Sequence, residues 1–132
     1  MFLNFLNCAI LSLSLSFLTT PSVDKAVTPP QKVVEWLTPQ EHDFGSIRRF
    51  NPVAFVFEFK NRTNDTITLQ TVRTTCGCTA ADWTETPIAP GETGAVRIEY
   101  DAYQTGDFNK KIRVFFDKQR KPDFLKIRGS VE

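Results

Sequence analysis

The chain contains few of the residues from which enzyme sites are usually built. Its 132 residues include one histidine and three cysteines. A metal site, or a nucleophilic cysteine with an imidazole base, would therefore have to use His42. The sequence has no glycine-rich phosphate-binding loop, and no two of its carboxylates can be assigned to a common cleft. We expect a protein that is not an enzyme, with no catalytic residues, no cofactor and no small-molecule substrate.

An excess of charge of either sign is also missing. Lys and Arg number 16 and Asp and Glu number 15, which gives a formal net charge of +1. Such a chain has no overall field that would attract a polyanion strongly. The basic clusters at residues 48–49, 110–111 and 118–121 are interpreted as solvated turns and strand ends. Nucleic-acid binding would favour a pI above about 9, so we expect no nucleic-acid partner.

The N-terminal segment differs from the rest of the chain. Residues 2–18 are mostly apolar and carry no charged side chain. The run is short for a transmembrane helix, which needs about 20 apolar residues, and it is typical of a secretory signal peptide. We assign residues 1–22 to this leader, with cleavage somewhere between residues 20 and 26. An uncleaved leader is the alternative, and it is the sole route to a membrane that we expect.

Export has a consequence for the cysteines. Cys8 lies in the leader, so the mature chain keeps Cys76 and Cys78. An even number of cysteines in an oxidising compartment permits one disulfide. A Pro- and Thr-rich linker covers residues 23–32, and a single domain covers residues 33–132. The expected location is outside the cytoplasm.

Alternating apolar and polar residues dominate the domain. In the clearest case Phe55, Phe57 and Phe59 alternate with polar or smaller residues and give a strand one aromatic face. Similar alternation occurs in residues 66–72, 95–100, 111–116 and 124–129, with turn residues between them. No segment has a helical period. This pattern predicts an all-β fold, an antiparallel immunoglobulin-like β-sandwich of about seven strands, with a small open barrel as second choice.

The motif Cys76-Gly77-Cys78 is the most distinctive part of the domain. A disulfide between these cysteines closes a ring of three residues and stabilises by roughly 1.5 kcal/mol before strain is subtracted. Such a bond would stabilise the fold only weakly, but the two cysteines could act as a redox pair because a strained disulfide is easily reduced. Two other interpretations stay open, namely inert thiols and a soft-metal site completed by His42. Gly77 would allow a sharp turn.

We take residues 74–83 as the candidate functional loop. Besides the cysteine motif it includes Thr79 and Trp83. The Trp83 ring would either cap the end of a sheet or provide a contact surface.

Six motifs, in this order and spacing, give a resemblance that covers residues 35–131. They are His42 to Ile47; Phe55, Phe57, Phe59 and Asn61; Cys76 to Thr79; Pro87 to Glu92; Gly106, Phe108, Lys110 and Ile112; and Leu125, Ile127, Gly129 and Val131. Together they resemble the bacterial family DUF1573, a domain of unknown function. The resemblance implies an immunoglobulin-like fold, often behind a signal peptide, in exported proteins. It therefore places the expected location in the periplasm or the bacterial cell envelope, and it implies no established activity.

Three functional hypotheses remain. The first is an exported, non-enzymatic module that binds a protein partner in the cell envelope, since β-sandwiches present loops and edge strands that can accept a partner's strand. The second is an envelope thiol-redox or soft-metal protein that uses Cys76 and Cys78. The third is a structural spacer without a site. Fold alone does not decide among them.

Overall fold

The computed structural model describes residues 32–132. The predicted signal peptide, and the predicted linker except for Lys32, lie outside this part of the chain. No α-helix within residues 32–132 has the length and apolar character needed to span a bilayer. Eight strands are present: β1 (Val34–Trp36), β2 (Glu41–Ile47), β3 (Val53–Asn61), β4 (Leu69–Thr74), β5 (Thr79–Trp83), β6 (Thr93–Tyr100), β7 (Gly106–Phe116) and β8 (Asp123–Val131).

The strands form two sheets of four that pack face to face. The first sheet has the order β1-β3-β6-β5 and the second has the order β2-β8-β7-β4. The predicted all-β sandwich is therefore confirmed, with eight strands instead of about seven. The strands that the alternating pattern did not identify include β2 and β5, which are both edge strands.

One strand pair departs from the antiparallel arrangement. β2 runs parallel to β8, with His42 opposite Ile127 and a register shift between Asp43 and Ser46. The chain crosses from the first sheet to the second in residues 37–40, directly after the short strand β1. Pro39 lies in this crossing, where the lack of a backbone N–H interrupts a sheet ladder. Because the crossing turns the chain onto the other sheet, β2 reaches the free edge of β8 in the parallel direction.

The space between the sheets is filled by the alternating apolar residues. Phe57 and Phe59 of β3 are fully buried, as are Ile112 and Val114 of β7 and Ile127 of β8. Phe59 also contacts the Phe116 ring edge-to-face, with centroids 5.2 Å apart. These buried side chains are the inward-facing ones that the sequence predicts. Because both sheets and this core lie within residues 32–132, this part of the chain is a folding unit with its own core.

Candidate functional site

Three loops meet at one end of the sandwich, and we call this the cysteine end. They are residues 48–52 between β2 and β3, residues 75–78 between β4 and β5, and residues 101–105 between β6 and β7. The loops are tied to one another, since Asp101 N–H donates to the Cys78 carbonyl at 3.1 Å and Phe50 N–H donates to the Ala102 carbonyl at 2.9 Å. The cysteine end is therefore one continuous surface.

The cysteine motif links the two sheets at this end. The sulfur atoms of Cys76 and Cys78 lie at bonding distance, and the Cα atoms are 5.4 Å apart. The Thr79 hydroxyl oxygen lies 3.8 Å from the Cys76 sulfur and 3.9 Å from the Cys78 sulfur. The Thr74 hydroxyl donates to the Cys76 carbonyl at 3.2 Å and to the Thr79 carbonyl at 3.3 Å. The loop is thus held from both flanking strands.

This loop is shorter than the sequence predicts. Thr79 begins β5 and Trp83 ends it, so neither belongs to a loop. Thr79 is buried, and the half-buried Trp83 ring packs against the core. The φ angle of Gly77 lies outside the left-handed region, so the turn does not depend on the conformational freedom of glycine.

His42 lies away from the cysteines. It belongs to β2, one edge strand of the second sheet, whereas Cys76 follows β4 at the opposite edge. Three strand spacings separate the two edges, roughly 14 Å. The imidazole stacks on Phe55 with centroids 3.8 Å apart. Within residues 32–132 no group of three His, Cys, Asp or Glu side chains is placed to hold a metal ion.

A small cavity of about 310 Å³ lies beside the cysteine pair. Its walls include the cysteines, Asp101, Tyr103 and Lys110. Buried Tyr100 forms the base, and burial raises the pKa of its hydroxyl, with the negative charge of Asp101 raising it further. Tyr100 is therefore a neutral phenol at physiological pH. Lys110 is the one cation in this wall, and a nearby cation stabilises a thiolate.

The sequence did not indicate the most exposed feature of the cysteine end, an aromatic pair. Phe50 is 62% exposed and Tyr103 is 60% exposed, and the two ring centroids are 5.8 Å apart. The Arg49 guanidinium lies 4.5 Å above the Phe50 ring, and Arg49 Nε donates to the Tyr103 carbonyl at 2.9 Å. The pair combines residues from two loops, so spacing along the chain does not reveal it.

Phe50 also has an unusual backbone. Its φ angle is +62°, a left-handed conformation that bulky side chains rarely adopt. Ala102, whose carbonyl accepts the Phe50 N–H, has a φ angle of +56°. Such conformations persist where surrounding contacts enforce them, and they cluster at functional sites. The two loops are thus fixed in a conformation that presents Phe50 to solvent.

The edge strand β5 offers unpaired backbone next to this end. Thr84 N–H donates to the Ala95 carbonyl and Asp101 N–H donates to the Cys78 carbonyl. By the alternation of an antiparallel ladder, the backbone groups of Ala81 and Trp83 then point to the free edge. Two residues make a short edge, which limits the pairing that a partner strand could form.

The fold and this site define a class, a single immunoglobulin-like β-sandwich that resembles PapD-like domains. PapD-like domain 7 of human CEP192 is 13% identical, with a TM-score of 0.66 over 84% of this chain and 96% of that domain. Residues 36–131 match the family described as "Protein of unknown function (DUF1573)". The chain belongs to the DUF1573 family, as the motifs predict.

Two bacterial structures share the fold. A protein of unknown function from Porphyromonas gingivalis W83 is 21% identical, with a TM-score of 0.63 over 74% of this chain and 46% of that one. The Vibrio cholerae VesB protease is 16% identical, with a TM-score of 0.62 over 75% of this chain and 32% of that one. The chain thus spans less than half the length of both proteins. No curated protein matches it.

Proposed function

We propose that the chain is an exported, non-enzymatic module of the bacterial cell envelope that binds a protein partner through the cysteine end. The exposed aromatic pair Phe50 and Tyr103 is the observation that carries this proposal. Large aromatic residues and arginine are enriched at the centres of protein interfaces. Here two aromatic rings and Arg49 lie together on loops that are already rigid, which lowers the ordering cost of binding. Export is supported by the leader-like residues 1–22.

Cross-linking at single positions tests this proposal. A photoreactive phenylalanine analogue at position 50 or 103 of the full chain is expected to give one discrete cross-linked partner in cells. Leu37 is the matched control, because it is also a large apolar residue, 49% exposed, but lies beside the β1 edge of the first sheet, where its N–H donates to the Glu58 carbonyl. The Phe50→Ala/Tyr103→Ala variant is expected to lose the partner. Equal cross-linking from positions 37 and 50, or none from either 50 or 103, would overturn the proposal.

A second candidate function is thiol–disulfide exchange at Cys76 and Cys78. Two observations favour it, the bonding distance between the sulfurs and the open cavity beside them with Lys110 in its wall. A thiolate of a partner dithiol would attack one sulfur and release the other as a thiolate. The partner's second thiol would then resolve the mixed disulfide. The partner dithiol is oxidised by two electrons, and the Cys76–Cys78 disulfide is reduced by the same two.

The reduction potential of the pair separates the two candidates. A potential above roughly −230 mV supports exchange, whereas one below about −300 mV indicates a structural bond. The Cys76→Ser/Cys78→Ser variant adds an independent readout. If the cysteine end is a binding surface alone, this variant still gives the cross-link from position 50. If exchange is the function, the variant loses the mixed disulfide that thiol trapping would detect.

A further inference from the structure

The outer face of the second sheet carries a concentration of positive charge that the balanced composition hides. Buried residues of β7 and β8 point inward, so the residues between them point to solvent. The cations on this outer surface, which we call the basic face, are Arg73, Lys111, Arg113, Lys126 and Arg128. Three carboxylates share this face, Glu41 and Asp43 at its β2 edge and Asp107 near the start of β7.

Part of this charge is unpaired. Glu41 and Asp43 form ion pairs with Lys126 and Arg128, at 3.1 to 3.7 Å. Within residues 32–132, Arg73, Lys111 and Arg113 have no carboxylate within ion-pair distance.

Like charges also lie directly opposite each other across the basic face. Arg73 is paired in register with Arg113, and Lys111 with Lys126. Such cross-strand pairs destabilise a sheet, so a bound anion would relieve an existing repulsion.

The outer face of the first sheet has the opposite sign. It carries four carboxylates and two cations: Glu35, Glu58, Asp82, Glu99, Lys60 and Arg97. Stacked sheets lie about 10 Å apart, which is also about one Debye length at 0.1 M salt. The two faces therefore act as separate electrostatic surfaces, and an anionic plane would attract one and repel the other.

The aromatic residues of the basic face help to identify the occupant. Phe124 is 45% exposed, with Lys111 Nζ 4.1 Å above its ring. The Arg73 guanidinium lies 5.6 Å from the Phe115 ring centroid. Cations thus cover both rings, whereas single-stranded nucleic acid needs open rings on which bases can stack. The centres of protein interfaces are depleted of charge, and here charge occupies the centre.

We propose that the basic face docks on a bilayer of anionic phospholipid. The outer face of this four-stranded sheet turns its cations to one side, where a plane of phosphate groups could bind them, and each basic residue near such a surface adds to the attraction. The exposed part of the Phe124 ring, beside the ammonium group of Lys111, would add apolar contact at the membrane interface. Lys32, the first described residue, lies beside Phe124 and the basic turn of Lys118, Arg120 and Lys121, and so extends the positive surface at this end.

Vesicle sedimentation of the domain from Lys32 to Glu132 tests the proposal. The probe is a vesicle of equal parts phosphatidylcholine and phosphatidylglycerol, compared with phosphatidylcholine alone. The Lys111→Glu/Arg113→Glu variant removes two cations from the basic face. Each lost cation weakens binding roughly fivefold, so at least a tenfold loss of binding to the anionic vesicle is expected.

The matched control is the Lys60→Glu/Arg97→Glu variant, which makes the same change of net charge on the opposite face. It is expected to bind within about threefold of the wild type, because screening separates the faces. Equal losses in both variants, or no binding of the wild type to anionic vesicles, would overturn the proposal. So would equally tight binding of duplex DNA with the same dependence on Lys111 and Arg113.

Folding of each variant is checked by circular dichroism. If the glutamate variant does not fold, the Lys111→Gln/Arg113→Gln variant is measured against Lys60→Gln/Arg97→Gln under the same criteria. The cysteine end is left intact in all four variants, so loss of vesicle binding can be distinguished from loss of the protein partner.

Discussion

The indole Nε1 of Trp36 donates a hydrogen bond to Asp123 Oδ2 at a distance of 2.8 Å. This bond joins β1 of the first sheet to β8 of the second. Asp123 is buried, and its other oxygen accepts a hydrogen bond from Gln119 Nε2 at 2.9 Å. One buried carboxylate therefore ties the two sheets to the turn at the end of the sandwich opposite the cysteine end.

Replacing Asp123 should destabilise the fold. In the Asp123→Ala variant the Trp36 and Gln119 donors lose their acceptor, and a loss of about 2 kcal/mol in the free energy of unfolding is expected. Urea denaturation measures it. Asp82→Ala is the control, because Asp82 lies exposed on the outer face and its loss should change the free energy by less than about 0.5 kcal/mol. Equal effects of the two replacements would show that the buried network adds nothing.

Gly94 is predicted to be irreplaceable for a steric reason. A Cβ atom at this position would lie 2.5 Å from Phe59 Cζ and 2.8 Å from Ile88 Cδ1. The Gly94→Ala variant should lose about 1–3 kcal/mol of stability through overpacking. Gly77→Ala is the matched control, because nothing lies within 4 Å of a Cβ there. Thermal unfolding compares them, and a Gly77→Ala midpoint as low as that of Gly94→Ala would contradict the prediction.

The backbone of Phe50 should carry a measurable strain. Glycine adopts a positive φ angle without the cost of roughly 1–2 kcal/mol that other residues incur. Phe50→Gly is therefore expected to be more stable than Phe50→Ala by about 1 kcal/mol, although both lose the same ring. At an ordinary position the order is reversed. Denaturation of the two variants decides, and a more stable alanine variant would argue against strain.

High pH should weaken the fold through Tyr100. Burial, with a further contribution from Asp101, raises the pKa of Tyr100 in the folded protein above its usual value near 10. The unfolded chain then loses this proton first, so the stability that the group contributes is present below about pH 10 and is lost as the pH rises further. The wild type should lose stability relative to Tyr100→Phe between about pH 9 and 11. Parallel pH curves for the two proteins would contradict this.

The sequence predicted the strands that bury one face and expose the other. It did not predict the strands whose extended form depends on hydrogen bonding to a neighbouring strand. The alternating Phe55, Phe57 and Phe59 identified β3 because their periodicity matches the pleat. β5 was missed because its Thr-Ala-Ala-Asp-Trp sequence has little strand propensity, and its extended form comes from pairing with β6. β2 was missed because Gly45 permits a bend, and here the bend lies within an edge strand whose register with β8 shifts between Asp43 and Ser46.

Sequence reasoning reached only part of the candidate sites. It identified Cys76 and Cys78. It could not show that His42 lies far from them, because that distance depends on the strand order, which local patterns do not specify. The aromatic pair depends on contact between two loops. The basic face has a local signal, because Lys111 and Arg113 alternate with buried residues, as do Lys126 and Arg128. The cations of β7 and those of β8 form one surface only because the two strands are neighbours in the sheet, and the sequence does not show that pairing.

The place of β8 inside the second sheet affects when the domain can form. β2 has β8 as its ladder partner, and Glu41 pairs with Lys126. A chain that emerges from the ribosome therefore exposes an unpaired β2 until β8 has also been synthesised. Such long-range pairing delays folding. The second sheet can therefore be completed only after β8 is available, so the strand order makes its closure a late event in the synthesis of this domain.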